Sequence, residues 1–253
     1  MRFLSDTYVV FLRALRLSLT NPTWMFISIM QPILYLTLFG PLLLEVAKTP
    51  GFPAGDAWQV FVPGLLVQLG IFGTAFVGFG IIAEWRSGVI DRMLVTPASR
   101  WALIGGRVLH DTLLVIVQGL ILLGAAYVMG LRVPWSVVVV GLFVVGLLGA
   151  AFSALSYAAA LSLKSENAFA PLVNMFALPI LLLSGILLPM SLAPFWLRIV
   201  SDANPIKHVV EGLRAVFRGE IASPETAIGV VVALGFLLLG AWLGVRVFKA
   251  QTK

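Results

Sequence analysis

The chain of 253 residues is 60% hydrophobic and 11% charged, with a mean hydropathy of +1.04. Soluble domains carry roughly 25% charged residues, so this is the composition of a polytopic membrane protein. Cysteine is absent and there are two histidines, His110 and His208, which excludes disulfides, thiolate nucleophiles and Cys/His zinc sites; no metal site is expected, and the net charge of +6 reads as membrane topology rather than nucleic-acid binding.

The N-terminal stretch is no signal peptide: its apolar run is broken by Arg13 and Arg16, and no small-residue cleavage site follows. Leu4, Tyr8, Phe11, Leu15 and Leu19 recur at helical spacing, with Asp6, Arg13 and Arg16 elsewhere on the wheel. The pattern predicts an amphipathic helix over 4–20, lying on the membrane surface. Asn21-Pro22 then supplies an N-cap and N1 pair for the next helix.

Six stretches are long and apolar enough to cross a bilayer, over 24–44, 60–83, 108–130, 135–163, 168–188 and 226–248. Gln31-Pro32 in the first and Val62-Pro63-Gly64 in the second predict kinks, because proline removes a backbone donor. Gln68 and Asn174 are polar at membrane depth and should face other helices or a pathway. Phe72, Phe76 and Phe79 share one face of the second span, and Gly146, Ala150, Ala154 and Ala158 form a small-residue stripe on the fourth. Gly240 and Gly244 make a GxxxG on the sixth.

Between the second and third spans lies a polar island, residues 84–107, with Arg86, Arg92, Arg100 and Arg107. Ser87–Leu94 reads as a short amphipathic helix, apolar at Val89, Ile90, Met93 and Leu94 and polar at Asp91 and Arg92. Thr96-Pro97 reads as the cap that opens the third span's helix. A short helix joined to two spans is a handle on which a soluble motor can push.

The segment 190–225 precedes the last span. Ile206, Val209, Val210, Leu213, Val216 and Phe217 mark one face of a helix of about a dozen residues, too short to span. Lys207, Glu211, Arg214 and Arg218 mark the opposite face, with Asn204-Pro205 as start and Gly219 as stop. This helix is expected to dip into the outer leaflet or cap the protein. Six spans put both termini on one side, and eleven of the 17 Lys and Arg residues fall with the termini and the island, against six on the other face. The richer face is cytoplasmic by the positive-inside rule.

No GxxxxGK[ST] loop exists, because none of the five lysines follows a glycine, so the chain is not expected to hydrolyse nucleotide. No HExxH and no paired intramembrane carboxylates are present, and no catalytic residue is assigned. The adjacent His110 and Asp111, near one end of the third span, read as an interfacial hydrogen-bonded pair rather than a proton relay. A passive body driven by a partner is favoured over an ion-coupled secondary transporter or channel, and over a membrane enzyme.

Several segments in order carry a family resemblance: Val62-Pro63-Gly64-Leu65-Leu66, Glu84–Arg92 with Thr96-Pro97, Asn174 through Pro179, Ser184-Gly185 to Pro189, Pro194–Leu197, Asn204-Pro205 and Arg214. Over nearly its full length the chain resembles the membrane subunit of type-2 ATP-binding-cassette exporters, in the branch of drug-resistance and nodulation-factor permeases. The resemblance implies an all-α, six-span permease of the bacterial inner (plasma) membrane. It implies an N-terminal connecting helix, a cytoplasmic coupling helix and outer re-entrant helices. It also implies a second permease copy, identical or not, and separate ABC ATPase subunits that carry ATP and Mg, with no cofactor on this chain. The cargo of such a family is a drug, lipid or glycan. On this basis Glu84, Arg86, Gly88, Asp91, Arg92, Met93, Pro97 and Arg100 are assigned to ATPase coupling. Gln68, Phe72, Phe76, Asn174 and Phe176 are assigned to the substrate path, and Pro189, Pro194, Trp196, Pro205, Glu211 and Arg214 to the outer gate.

Overall fold

Long apolar runs with their backbone hydrogen bonds closed internally leave helices as the economical solution in lipid, and the computed structural model is all-α. It describes residues 2–20, 23–50, 52, 55–94 and 99–250. The helix starts expected at Asn21-Pro22 and Thr96-Pro97, Pro97 included, lie outside the described residues; of Asp91 and Arg100 only the backbone is described. In chain order the helices are α1 (Arg2–Thr20), α2 (Thr23–Val46), α3 (Ala57–Ala75), α4 (Gly78–Arg86), α5 (Val89–Leu94) and α6 (Arg100–Met129). They continue as α7 (Trp135–Leu163), α8 (Glu166–Leu183), α9 (Phe195–Asp202), α10 (Pro205–Phe217) and α11 (Pro224–Ala250), with a 3-10 turn at Met190–Leu192.

Six stretches are long and apolar enough to cross a membrane: Phe26–Val46, Ala57–Arg86, Trp101–Met129, Trp135–Leu163, Glu166–Leu183 and Pro224–Val247. The chain is a multi-pass membrane protein. α7 is the central post, packing on α3, α6 and α11. Its small residues let partners approach: an added Cβ on Gly240 of α11 would lie 2.7 Å from the carbonyl oxygen of Ala151 and 3.2 Å from Ala154 Cβ. α7 ends at Lys164, held left-handed at φ 53, a conformation costing roughly 1–2 kcal/mol for a residue with a Cβ. The Lys164 ammonium, 4.8 Å from the centre of the Trp85 ring, offsets part of that cost.

α3 stays helical through Pro63, and the second span is interrupted lower, at Phe76–Val77. Two expectations need correction. The fifth span is helical only to Leu183, because the chain turns at Ser184 and Gly185 takes φ +75; the apolar Ile186-Leu187-Leu188 that followed is loop. α6 starts at Arg100, after Ser99 with its extended backbone, rather than at Pro97. By contrast α10 begins as its sequence dictates: Pro205 sits in the first turn and the Asn204 side chain accepts from the Ile206 amide at 3.0 Å. It ends in a Schellman closure, Glu220 N–H to Ala215 C=O at 2.9 Å, with Gly219 at φ +92.

Two apolar clusters organise the interior. The larger joins α2, α3, α6, α7, α10 and α11 around Leu65, Leu66, Leu122, Leu148 and Phe217. The smaller lies at the island end, where Ile81, Ile82, Ile90, Leu103, Ile104, Tyr157, Phe169 and Val245 bring six helices together.

Candidate functional site

The island is built around one carboxylate. Glu84, on α4, accepts from Arg107 of α6 and lies 3.8 Å from the guanidinium of Arg13 on α1. Both arginines also reach the Met93 sulfur of α5, at 3.6 and 3.9 Å. A single half-buried acid therefore joins four helices. α5 follows Gly88, whose φ of +69 suits glycine, and seats Ile90 in the smaller core. Arg92 points outward and curls back onto the carbonyls of Gly88 and Ser87, both at 3.3 Å. Arg86 bonds Glu166 at the start of α8 at 3.0 Å, an exposed pair of small energetic weight. The helix expected over Ser87–Leu94 is present over Val89–Leu94, with Ile90 buried and Val89 and Met93 half-buried.

α1 is fastened to the same end by close approach and by polar bonds. A Cβ on Gly106 would stand 2.6 Å from the Thr7 carbonyl and 2.7 Å from Val10 Cβ, so only glycine lets the two helices meet this closely. Further along, His110 Nε2 is 2.7 Å from the Ser18 hydroxyl, and His110 Nδ1 is 3.0 Å from Asp111 Oδ1. Asp111 Oδ2 accepts from Ser153 at 2.5 Å and Tyr157 at 2.6 Å. The pair seen in the sequence is one part of a buried network from α1 through α6 to α7. Both carboxylate oxygens have partners, which is how so polar a side chain is tolerated at that depth. Ser18, Ser153 and Tyr157 escaped the sequence reading, because no local pattern marks a serine whose partner is 42 or 92 residues away.

The second span carries its own polar repair. At the break, the Ser156 hydroxyl of α7 donates to the Ala75 carbonyl at 2.7 Å and accepts the Gly78 amide at 2.9 Å. Around it Phe76 stacks on Phe79 at 6.1 Å, and Phe79 meets Phe169 edge-on at 5.0 Å. Of the residues assigned to a path, Phe72 and Phe76 are half-buried. Gln68 is 1% exposed and neither amide atom has a partner among the described residues. Asn174 and Phe176 face outward on α8. The five are thus split between an inner and an outer surface. A groove of about 570 Å³ lies elsewhere, on α2 between Phe26 and Phe39, with Gln31 and Tyr35 as its polar members.

At the opposite end, Arg214 does not sit on a solvated face. It is 6% exposed, with Nε donating to the Val60 carbonyl of α3 at 2.9 Å and Nη2 to the Gly185 carbonyl at 2.7 Å. Burial lowers its pKa to about 10. Lys207 is also buried, bonded to Asp202 at 2.5 Å and 3.7 Å from Glu211, and that bond holds the Asp202 carboxyl below the usual carboxylate range. The opposite-face reading fails because α10 lies between α3 and α11, where even its charged side must be paired. Gly64 allows the Ile186 carbonyl to rest on α3, which gives Pro63-Gly64 its purpose. Pro189 and Pro194 cap the 3-10 turn and α9, and Pro205 opens α10. α9 leaves Phe195, Trp196, Ile199 and Val200 exposed on one short helix.

Comparison with known proteins agrees with this architecture. A family model described as ABC-2 type transporter matches residues 5–217. The transport permease ycf38 of Cyanophora paradoxa is 25% identical over 217 residues, covering 85% of this chain and 75% of that protein. The daunorubicin resistance ABC transporter permease protein DrrB1 of Streptomyces coeruleorubidus is 27% identical, over 76% of this chain and 68% of its own length. A Mycobacterium tuberculosis protein named as a doxorubicin resistance ABC transporter permease, DrrC, is 24% identical, over 78% of this chain and 71% of its own.

Proposed function

The chain belongs to the ABC-2 type transporter family, and from that premise we propose that this permease is the membrane subunit of an ATP-driven exporter, moved by separate ATPase subunits. The observation that carries the reading is the Glu84 clamp. It leaves α5 as a short outward-facing helix, backed by the core through Ile90 and Met93 and tied to α1, α4 and α6. A push on α5 therefore reaches the second and third spans directly. Arg92 and Asp91 would meet the ATPase, with ATP and Mg held on that partner.

On this reading the island and both termini are cytoplasmic, in a bacterial inner membrane. Burial of Lys207 and Arg214 supports that orientation, because two of the six cations counted on the other face are internal ties rather than topological charges. α9, with its exposed aromatic and aliphatic face and Trp196, would lie in the outer interface. A second permease copy would face α2 and α8, whose apolar sides are uncovered in one chain. The path would then run between copies, with Asn174 and Phe176 on its wall and Gln68 behind it. Drugs are the cargo class that the names of the relatives favour; a lipid or glycan would use the same aromatic wall.

The test is ATPase activity of the purified chain, alone and co-expressed with ABC nucleotide-binding subunits from the same genome. The expected result is no activity alone and a stable, active complex with the partner. Asp91→Ala with Arg92→Ala should then keep the complex and lose transport. Normal transport by that double variant would overturn the coupling role of α5.

A further inference from the structure

The second span is broken where a continuous helix would serve as well by composition, and the cause lies in another helix. Across the break the ladder turns to shorter closures: Val77 N–H to Thr74 C=O at 3.4 Å, Phe79 to Phe76 at 3.1 Å, and Gly80 to Val77 at 3.1 Å. Short 3-10 segments inside a helix mark hinges. Just above, the Thr74 hydroxyl donates back to the Gly70 carbonyl at 2.7 Å, a bond that competes with the ladder and bends helices. The Ala75 carbonyl and Gly78 amide would otherwise be left open in an apolar interior; the Ser156 hydroxyl takes both. Ser156 is 5% exposed, so lipid and water do not compete for it.

The surroundings permit this arrangement and little else. A Cβ at Gly78 would lie 2.6 Å from Phe169 Cζ, 2.8 Å from Ala160 Cβ and 2.8 Å from the Ser156 carbonyl. Below the break come only the nine residues of α4, then Gly88 and α5. Above it, α3 is buried over most of its length and tied to α10 by Arg214. The break therefore separates a lever, α4 with α5, held at the island end by the Glu84 clamp and the smaller core, from the α3 body tied to α10.

We infer that Ser156 is the pin of this hinge: its hydroxyl holds the second span open at Phe76–Val77, and so sets the angle at which the lever α4–α5 stands against the α3 body. Exchange of its two bonds for helical ones straightens the span. Ser156 acts as a positioning residue for transport, and this role rests on the coupling function proposed for α5.

The natural absence of cysteine allows the angle to be read directly. Spin labels at Ala83→Cys on α4 and Leu120→Cys on α6, both exposed positions, report the lever against the bundle in the full chain in nanodiscs. Without any ATPase, Ser156→Ala should shift the label distance and Ser156→Thr, which keeps a hydroxyl, should restore it. In the complex with the ATPase subunit that the co-expression test identifies, Ser156→Ala should keep binding and hydrolysis but lower transport per ATP about tenfold, the change expected for two membrane hydrogen bonds. Superimposable distances in wild type and Ser156→Ala overturn the pin, as does unchanged transport per ATP. If Ser156→Ala moves the lever but ATP never does, even in wild type, the hinge stands and the coupling function falls.

Discussion

Arg214 shows how one residue changes meaning between sequence and structure. Its guanidinium ties three segments by donating to carbonyls on α3 and on the turn after α8. Arg214→Met would keep the apolar stem and leave both carbonyls without that donor. The expected loss is about 1–3 kcal/mol of stability, with Arg214→Lys intermediate because an ammonium cannot span both acceptors as a fork does. Heating series followed by size-exclusion in detergent will rank the three. The lowered pKa sets the pH dependence. At about 10 the group is still charged in both folded and unfolded chains near neutrality, so stability should not vary on its account between roughly pH 6 and 9. Above that value the folded state gives up the proton before the unfolded chain does, and this contribution rises with pH up to the ordinary arginine range. A midpoint that falls steeply from pH 6 to 9 in wild type but not in Arg214→Met would contradict it.

At the scale of elements, the glycines of α4 separate packing from propensity. Gly78→Ala meets three heavy atoms inside 3 Å and is expected to cost about 1–3 kcal/mol and to disturb the hinge. Gly80→Ala, only two residues on, meets nothing within 4 Å and should be neutral or stabilising by roughly 0.5–1 kcal/mol. Equal melting of the two variants would show that the Phe169–Ala160 seat is not formed. What the sequence made legible follows the same division. α7 and the start of α10 were readable because their signals are local: an uninterrupted apolar run, and an Asn-Pro cap. The break at Phe76–Val77 was not, because it is imposed by a hydroxyl 78 residues further along the chain. The end of the fifth span was misread because Ile186-Leu187-Leu188 is apolar as loop as well as helix, with Ile186 buried against α3 at Gly64 rather than extended through lipid. The segment 84–107 was legible as an island of charge, but the partners of Glu84 were not, since salt pairs between separate helices leave no spacing to read.

For the whole molecule, the three spans between Ser87 and Ser191, an odd number, put these two residues on opposite sides. Single cysteines at these exposed sites in intact cells should therefore differ in their reaction with an impermeant maleimide. Ser191→Cys is expected to label and Ser87→Cys only after permeabilisation; the reverse pattern would invert the proposed orientation. Interior ties concentrate at the two ends, the Glu84 clamp at one and Arg214 at the other, whereas the middle is held by glycine and alanine contacts around α7. α1 belongs to the first of these ends, and its position has a consequence for biogenesis. The residues it docks against, Glu84, Met93, Gly106 and His110, are translated some 70–100 positions later. At synthesis rates of about 5–20 residues per second, α1 waits roughly 5–20 s for its seat. During that interval two hydrophobic spans must enter the bilayer past it while its own apolar side has only lipid to rest on. On the proposed reading, the amphipathic character of α1 would also hold the nascent chain at the membrane until the third span arrives.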